Sequence, residues 1–196
     1  MKRLFDIAFS CIGLIVISPV LIACAAAIKL VDSGPVFYRG VRIGMAGKPF
    51  RMFKFRSMVV NADKIGGPST AGDDARLTRI GTFLRKWKLD ELPQLIDVLR
   101  GTMSFVGPRP EVPYYIDLLT REEKEIILSV RPGITDYASL WNFDEAQILR
   151  GSTDPEKTYQ EKIWPEKKRL QIKYVKEKSL LTDISIILQT LKKLIA

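Results

Sequence analysis

The sequence predicts a mainly α-helical protein with one small β-hairpin, an N-terminal helix in a membrane and further amphipathic helices at the membrane surface. Three observations carry this. Residues 7–28 hold no charged side chain, and roughly 20 apolar residues suffice to cross a bilayer as a helix. Several later segments repeat apolar residues every three or four positions, the period of a helix with one apolar face. A single stretch, 34–55, alternates aromatic and basic residues in the manner of strands. The chain divides accordingly into a membrane segment, residues 1–33, and a basic domain, residues 34–196.

Three topologies fit the first segment. Lys2 and Arg3 ahead of an apolar run, with "LIAC" before Cys24, resemble an export signal with a lipidated cysteine. A plain membrane-spanning anchor fits the length. A re-entrant helix, entering and leaving by one face, fits "ISPV": Pro19 frees the carbonyl of Ile15 and bends the helix, and Ser18 can bond back to the preceding turn. Basic residues flank both ends: Lys2 and Arg3 before the run, and Lys29, Arg39, Arg42, Lys48, Arg51, Lys54 and Arg56 against the single acid Asp32 after it. Positive charge on both sides favours a cytoplasmic location for both, and on the residues alone the re-entrant form is slightly preferred.

"SGPVFYRG" and "KPFRMFKF", separated by "GMAGK", predict the hairpin. "GMAGKP" lacks the spacer and hydroxyl residue of a phosphate loop. "NADKIGGPSTAGDDA" is a polar loop. In "RLTRIGTFLRKWKL", Leu77, Ile80, Phe83 or Leu84, and Trp87 form an apolar stripe opposite Arg76, Arg79, Arg85, Lys86 and Lys88. Such a helix suits a membrane surface or a soluble core equally. "ELPQLIDVLRG" is a helix ended by Gly101, and "VGPRPEVP" is an extended turn. "TREEKEIILSV" starts with a capping box, Thr120 and Glu123. "RPGITDYASLWNF" is loop or strand, and "DPEKTYQEKIWPEKKRLQIKYVKEK" is mostly helical. The last helix places Leu181, Ile184, Leu188, Leu191 and Ile195 on one side; it is too short and polar to span, so it is interfacial or docks on the core.

Composition limits the chemistry. The chain has no histidine, which excludes Ser-His-Asp and Cys-His nucleophiles and histidine metal sites. Its two cysteines, Cys11 and Cys24, lie in one apolar run and make no disulfide framework. A net charge of +9 points to phosphates, polyanions or an anionic membrane as partners. Against that background "KLDELPQL" sets two carboxylates, Asp90 and Glu91, side by side before Pro93. The local pattern alone favours helix capping and dipole complementarity. Residues this close cannot flank one bond as glycosidase carboxylates do. They suit a division of labour in which one attacks and the other holds Mg²⁺, an ion commonly held by one or two carboxylates plus substrate phosphates.

"FKFRSM" (53–58), "LTRIGTFLRKWKLDELPQL" (77–95), "GTMSFVGPRP" (101–110) and "RPGIT" (131–135) together resemble the bacterial sugar transferase family, small monotopic phosphoglycosyl transferases. The resemblance runs through nearly the whole chain and includes the re-entrant helix with its Ser18-Pro19 break. It implies a cytosolic catalytic domain at the bacterial inner membrane, in contact with phospholipids. The implied reaction moves a sugar-1-phosphate from a UDP-sugar donor to polyprenol (undecaprenyl) phosphate and releases UMP. Asp90 would be the nucleophile, Glu91 would help bind Mg²⁺, and Arg109 would hold phosphate, with Lys54, Arg56 and Arg79 as further phosphate ligands. The chemistry agrees with the composition, since phosphoryl transfer needs mainly positioning and charge neutralisation. After "RPGIT" many members continue with a Gly-Leu/Trp-Ala-Gln type sequence; "DYASLWNF" marks a subgroup. The competing expectation is a basic module binding membrane or nucleic acid. No nucleic-acid partner is expected, because base stacking gives no use for residues 7–28.

Overall fold

The computed structural model describes residues 1–31, 33–67 and 69–195, the last of these by its backbone only. Helix α1, Lys2–Val31, runs unbroken through Ser18 and Pro19, where a helix break was expected. The Ser18 hydroxyl donates to the Ile15 carbonyl at 2.8 Å, the acceptor that Pro19 leaves without an amide partner. The predicted hairpin is present as two short ladders. Strand β1, Phe37–Tyr38, is followed by β2, Val41–Ile43, a tight turn at Met45–Gly47, then β3, Pro49–Arg51, and β4, Lys54–Phe55. β2 pairs with β3 and β1 with β4, both antiparallel, with Phe37 opposite Phe55 and Tyr38 opposite Lys54.

The polar loop that follows is largely irregular, and Arg76 ties it together. Its guanidinium bonds Asp74 and the carbonyls of Ala62 and Gly67, so this cation belongs to the loop and not to an outer helix face. Helix α2, Arg79–Lys86, starts later than the apolar spacing implied because Thr78 caps it, accepting from the Gly81 amide at 2.9 Å. Leu77 precedes the helix and bridges Met58. The predicted stripe divides: Leu84 is buried against α1 with Ile80 beside it, while Phe83 and Trp87 face outward. Gly81 is required here, since a β-carbon would lie 1.8 Å from the Ser57 carbonyl oxygen.

Helix α3, Gln94–Arg100, ends at Gly101 in the left-handed conformation (φ 84°), as its sequence predicts. Strand β5, Ser104–Val106, leads to α4, Pro113–Asp117, and α5, Arg121–Ile127, where both bonds of the Thr120–Glu123 capping box form. Strand β6, Gly133–Thr135, pairs parallel with β5. α6, Tyr137–Trp141, is a helix where loop or strand was expected, because the Asp136 carboxylate caps it by accepting from the Ser139 amide. α7, Glu145–Ile148, and α8, Pro155–Thr158, lead through a π-helical turn, Tyr159–Ile163, into α9, Trp164–Glu177; α10, Leu180–Ile195, closes the order.

The largest core gathers Tyr115, Tyr159 and Trp164 with Ile116, Ile127 and Ile163 under α4, α5 and α9. A second core joins Val106, Tyr174 and Ile186. α10 docks through Asp183 and Ile186 and leaves Leu181 (80% exposed), Ile184, Leu188 and Leu191 outward. Of the two options for this helix, its predicted stripe is thus not the docking face; the side chain of Ile195 lies outside the described residues.

α1 is fastened to this body at both ends. Near its start Lys2 donates to the Val106 carbonyl and pairs with Asp183. Arg3 bonds the carbonyls of Val98 and Leu99, and buried Asp6 accepts from Ser104 and the Phe105 amide. Near its end Cys24 and Ile28 are buried against Phe55 and Leu84. Between these anchors Ile15 and Val16 are exposed.

Candidate active site

Asp90 and Glu91 lie in a single 3-10 turn, Leu89–Glu91, set between α2 and α3. Lys88 enters that turn with φ 54°, a left-handed backbone that breaks the helical path and turns the acids inward. Asp90 is 2% exposed. It makes no side-chain cap bond to either following element. Its described ionic partner is Lys54, whose ammonium sits 2.8 Å from Oδ2. The capping role favoured by the local pattern is therefore not what this carboxylate does.

Lys54 is held in place by the hairpin. The Phe53 amide donates to buried Asp97 on α3 at 2.7 Å, which presses the strand carrying Lys54 onto the helix that follows the acid pair. The same ammonium reaches Glu91 Oε1 at 3.3 Å. Arg109 bonds that oxygen as well and donates to the Ile134 carbonyl at 3.2 Å. The "GPRP" and "RPGIT" segments can meet there only as glycines: a β-carbon on Gly133 would lie 2.1 Å from the Gly107 nitrogen. α9 supports the same loop through Gln171, which donates to the Arg109 carbonyl.

Burial opposes the charge on Glu91, but Arg109, Lys54 and Lys88 outweigh it and hold its carboxyl well below the usual range. Glu91 in turn raises Arg109, against the effect of burial. Both groups therefore stay ionised at neutral pH.

Of the predicted site residues, the fold brings together Asp90, Glu91, Lys54 and Arg109. Arg56 and Arg79 have no described contact with the acid pair. Arg56 is buried and donates to the Pro35 carbonyl at 2.6 Å, and Arg79 is exposed at the start of α2. Arg85 takes their place. Assigned from sequence to an outer cationic face, it turns inward, donates to the Ser57 hydroxyl at 2.9 Å and feels the charges of Asp90 and Glu91, although burial pushes its pKa down. A signal for it exists: Gly81 lies one helical turn earlier, and a glycine in a helical pattern marks the face that packs closely. Four cations, Lys54, Arg85, Lys88 and Arg109, thus surround two carboxylates. Such a site attracts anions carrying more than one negative charge.

Two buried polar groups were also missed. Gln94, one turn past Asp90, is fully buried with neither amide atom hydrogen-bonded to protein. Asp136, at the end of β6, has Oδ2 unpaired, and burial pushes its carboxyl up against bonds from Ser139 and the charges of Lys167 and Arg109.

The described residues contain no group of three or more acidic or cysteine ligands. Among the described residues, the hydrogen bonds and ion pairs at Glu91 all fall on Oε1, and its second oxygen is the atom that could take another ligand. This donor set fits Mg²⁺ only with substrate phosphates completing the sphere.

A family model described as bacterial sugar transferase matches residues 1–196. The chain is 39% identical over 196 residues to the UDP-glucose:undecaprenyl-phosphate glucose-1-phosphate transferase of Escherichia coli K12, covering 98% of this chain and 40% of that protein. It is 35% identical over 201 residues to the UDP-N-acetylgalactosamine-undecaprenyl-phosphate N-acetylgalactosaminephosphotransferase of Aeromonas hydrophila, covering 99% of this chain and 43% of the other. To the uncharacterized sugar transferase EpsL of Bacillus subtilis it is 35% identical over 195 residues, all of this chain and 87% of EpsL. The chain spans about two-fifths of the length of the first two relatives. With the whole sequence matched and the acid pair enclosed by cations, the chain belongs to the bacterial sugar transferase family.

Proposed function

We propose that this chain transfers a sugar-1-phosphate from a UDP-sugar to polyprenol phosphate and releases UMP, with Asp90 as a covalent nucleophile. The observation that carries the reading is a buried carboxylate, Asp90, ion-paired to Lys54 and within the field of Arg85, beside Glu91, which Arg109 and Lys88 neutralise. A carboxylate nucleophile needs no separate base to activate it, and Lys54 stands 2.8 Å away as its counter-charge. Its oxygen bonds to the sugar-bearing phosphorus while the bond to the UMP phosphate oxygen breaks and UMP leaves with the electron pair. An oxygen of the lipid phosphate then attacks the same phosphorus and returns Asp90 as carboxylate. No proton has to move, which suits a chain without histidine. The cations neutralise charge on the phosphoryl oxygens.

Glu91, with Asp90 beside it, is the residue that would hold Mg²⁺, and the ion would supply further neutralisation of the diphosphate. Glu91→Gln retains shape and loses charge. Turnover is expected to fall by about 100-fold or more, with the protein still membrane-bound; an active variant with an unchanged Mg²⁺ requirement would remove this role.

The relatives named for their donors differ in the sugar, glucose or N-acetylgalactosamine. The test of the reaction is UMP release from a panel including both UDP-sugars, with polyprenol phosphate and Mg²⁺. Release from no member of the panel would defeat it. Nucleic-acid binding is a poorer competitor, because Phe37, Phe53 and Phe55 of the hairpin already have ring or cation partners. Phe37 stacks on Phe55 at 5.4 Å, and Phe53 carries the Arg39 guanidinium at 3.5 Å and that of Arg100 on a 4.9 Å approach.

The protein is further read as monotopic in the inner membrane, with its catalytic body on the cytosolic side and in contact with phospholipids. The support is the double attachment of α1. The hydrocarbon layer is about 30 Å thick, so a spanning helix would carry Lys2, Arg3 and Asp6 to the far side, away from the body that bonds them. A cleaved signal would remove the same contacts. Ile15, Val16, Trp87 and Leu181 are apolar and exposed, which suits contact with lipid. In a background lacking Cys11 and Cys24, single cysteines at positions 4 and 33 are both expected to resist an impermeant reagent applied from outside intact cells. Outside labelling of either would establish a span.

A further inference from the structure

The structure carries an apolar cavity of about 200 Å³ between the membrane helix and the acid-bearing turn. Ile22 and Ala25 of α1 form one wall, Phe37 and Phe55 of the paired strands another, and Pro93 and Ile96 the floor. Every lining residue is apolar. The space is a half-open cleft, and an apolar volume of about 150 Å³ already takes a benzene-sized ligand.

We propose that this cavity seats the isoprene units nearest the phosphate of the lipid acceptor. The inference rests on the polyprenol phosphate reading above and assigns the tail a place within it. Both ends of the cavity are defined. Ile22 is 68% exposed on α1, so one end opens on the side that faces lipid. The other side lies against the elements that carry the reacting groups: strand β4, which bears Lys54 as well as Phe55, packs on the Leu89–Glu91 turn, and Pro93 follows that turn. Apolar walls on the same elements that carry Lys54 and the acid pair complement an amphiphile with a phosphate head and a branched apolar tail. The volume holds a short length of chain, and the remainder lies along α1 in the bilayer. Binding energy from this segment would draw the head group toward the phosphorylated Asp90 without altering the reacting centre itself.

Ala25→Phe and Ile96→Phe fill the cavity, and Ile15→Phe places the same ring on an exposed part of α1 away from it. UMP released from the UDP-sugar without acceptor counts loaded sites, so turnover with a short-chain polyprenol phosphate is read per loaded site. The two filling variants are expected to raise the acceptor KM about tenfold or more with kcat little changed, the pattern of lost uniform binding; Ile15→Phe is expected to leave KM alone. In wild-type protein, a polyprenol phosphate carrying a diazirine near its head should label the peptides containing Ile22 and Ile96. Excess unlabelled polyprenol phosphate should suppress that label, and phosphatidic acid should not. Unchanged KM in loaded filling variants overturns the assignment, as does label outside these peptides or equal suppression by phosphatidic acid, which would make the cavity a phospholipid site. Labelling needs no turnover. Label in the cavity without any UMP release therefore supports the lipid site while defeating the proposed reaction.

Discussion

Asp90→Asn is expected to fold, reach the membrane and lose all turnover. Wild-type protein mixed with its UDP-sugar and Mg²⁺, without lipid acceptor, should release up to one UMP per site and retain a sugar phosphate on Asp90. The variant should show neither burst nor label, because an amide oxygen cannot displace UMP. The structural cost is small. Lys54 keeps Glu91 as an ionic partner at 3.3 Å, so removing one charge does not leave the ammonium unpaired. Asp90 makes no cap bond whose loss would loosen α3. The two roles for this carboxylate therefore separate in one experiment: a capping residue survives replacement by asparagine, and a nucleophile does not. A burst that persists in Asp90→Asn, or UMP release that strictly requires lipid phosphate, would remove Asp90 from the role given to it.

Lys167→Met is expected to cause the largest loss of stability. Lys167 lies under the "PRPE" loop, almost fully buried, 2.8 Å from Glu111, 3.6 Å from Glu145 and 2.7 Å from the Tyr159 hydroxyl. Burial opposes its charge, but Glu111, Glu145 and Tyr159 together hold it protonated well above the ordinary lysine range. Methionine fills the space and leaves Glu111 buried without its cation. Breaking one side of such a pair costs about 3–5 kcal/mol, and for a chain of this length that is a fall in Tm of roughly 6–20 °C. The double variant Lys167→Met with Glu111→Gln should recover part of the loss, since the orphaned charge is then gone. Equal Tm values for single and double variants would mean that Lys167 acts by packing alone.

Much of the fold was legible because the determining contacts are local. Thr120 and Glu123 are three residues apart, and both bonds of their box form. Ser18 and Ile15 are equally close, so the repair of the Pro19 gap followed from the sequence. Gly101 stops α3 for reasons contained in one residue. The short helix at Tyr137–Trp141 was hidden because its cap, Asp136, directly follows a strand. The site was legible in its residues and less so in its geometry. Motifs identified Asp90, Glu91, Lys54 and Arg109, but membership of a motif does not fix a cation's direction. Arg56 and Lys54 are two positions apart on one segment, yet one donates to Pro35 and the other reaches the acid pair 36 residues away. Arg79 and Arg85 lie on one helix, and only the second turns inward, where Gly81 allows the helix to press against Ser57.

The bond between Lys2 and Asp183 joins residues 181 positions apart in sequence. Tyr174 completes the junction: its hydroxyl donates to Asp183 at 2.7 Å and lies 3.1 Å from the Val106 carbonyl. Chains grow at about 5–20 residues per second, so the first turn of α1 waits roughly 10–40 s for the helix that will hold it. During that interval the apolar run and its earlier partners, Val98, Leu99 and Phe105, have been made, and this last fastening has not. On the monotopic reading proposed above, slowing translation between α9 and α10 should therefore increase the fraction of chains inserted the wrong way.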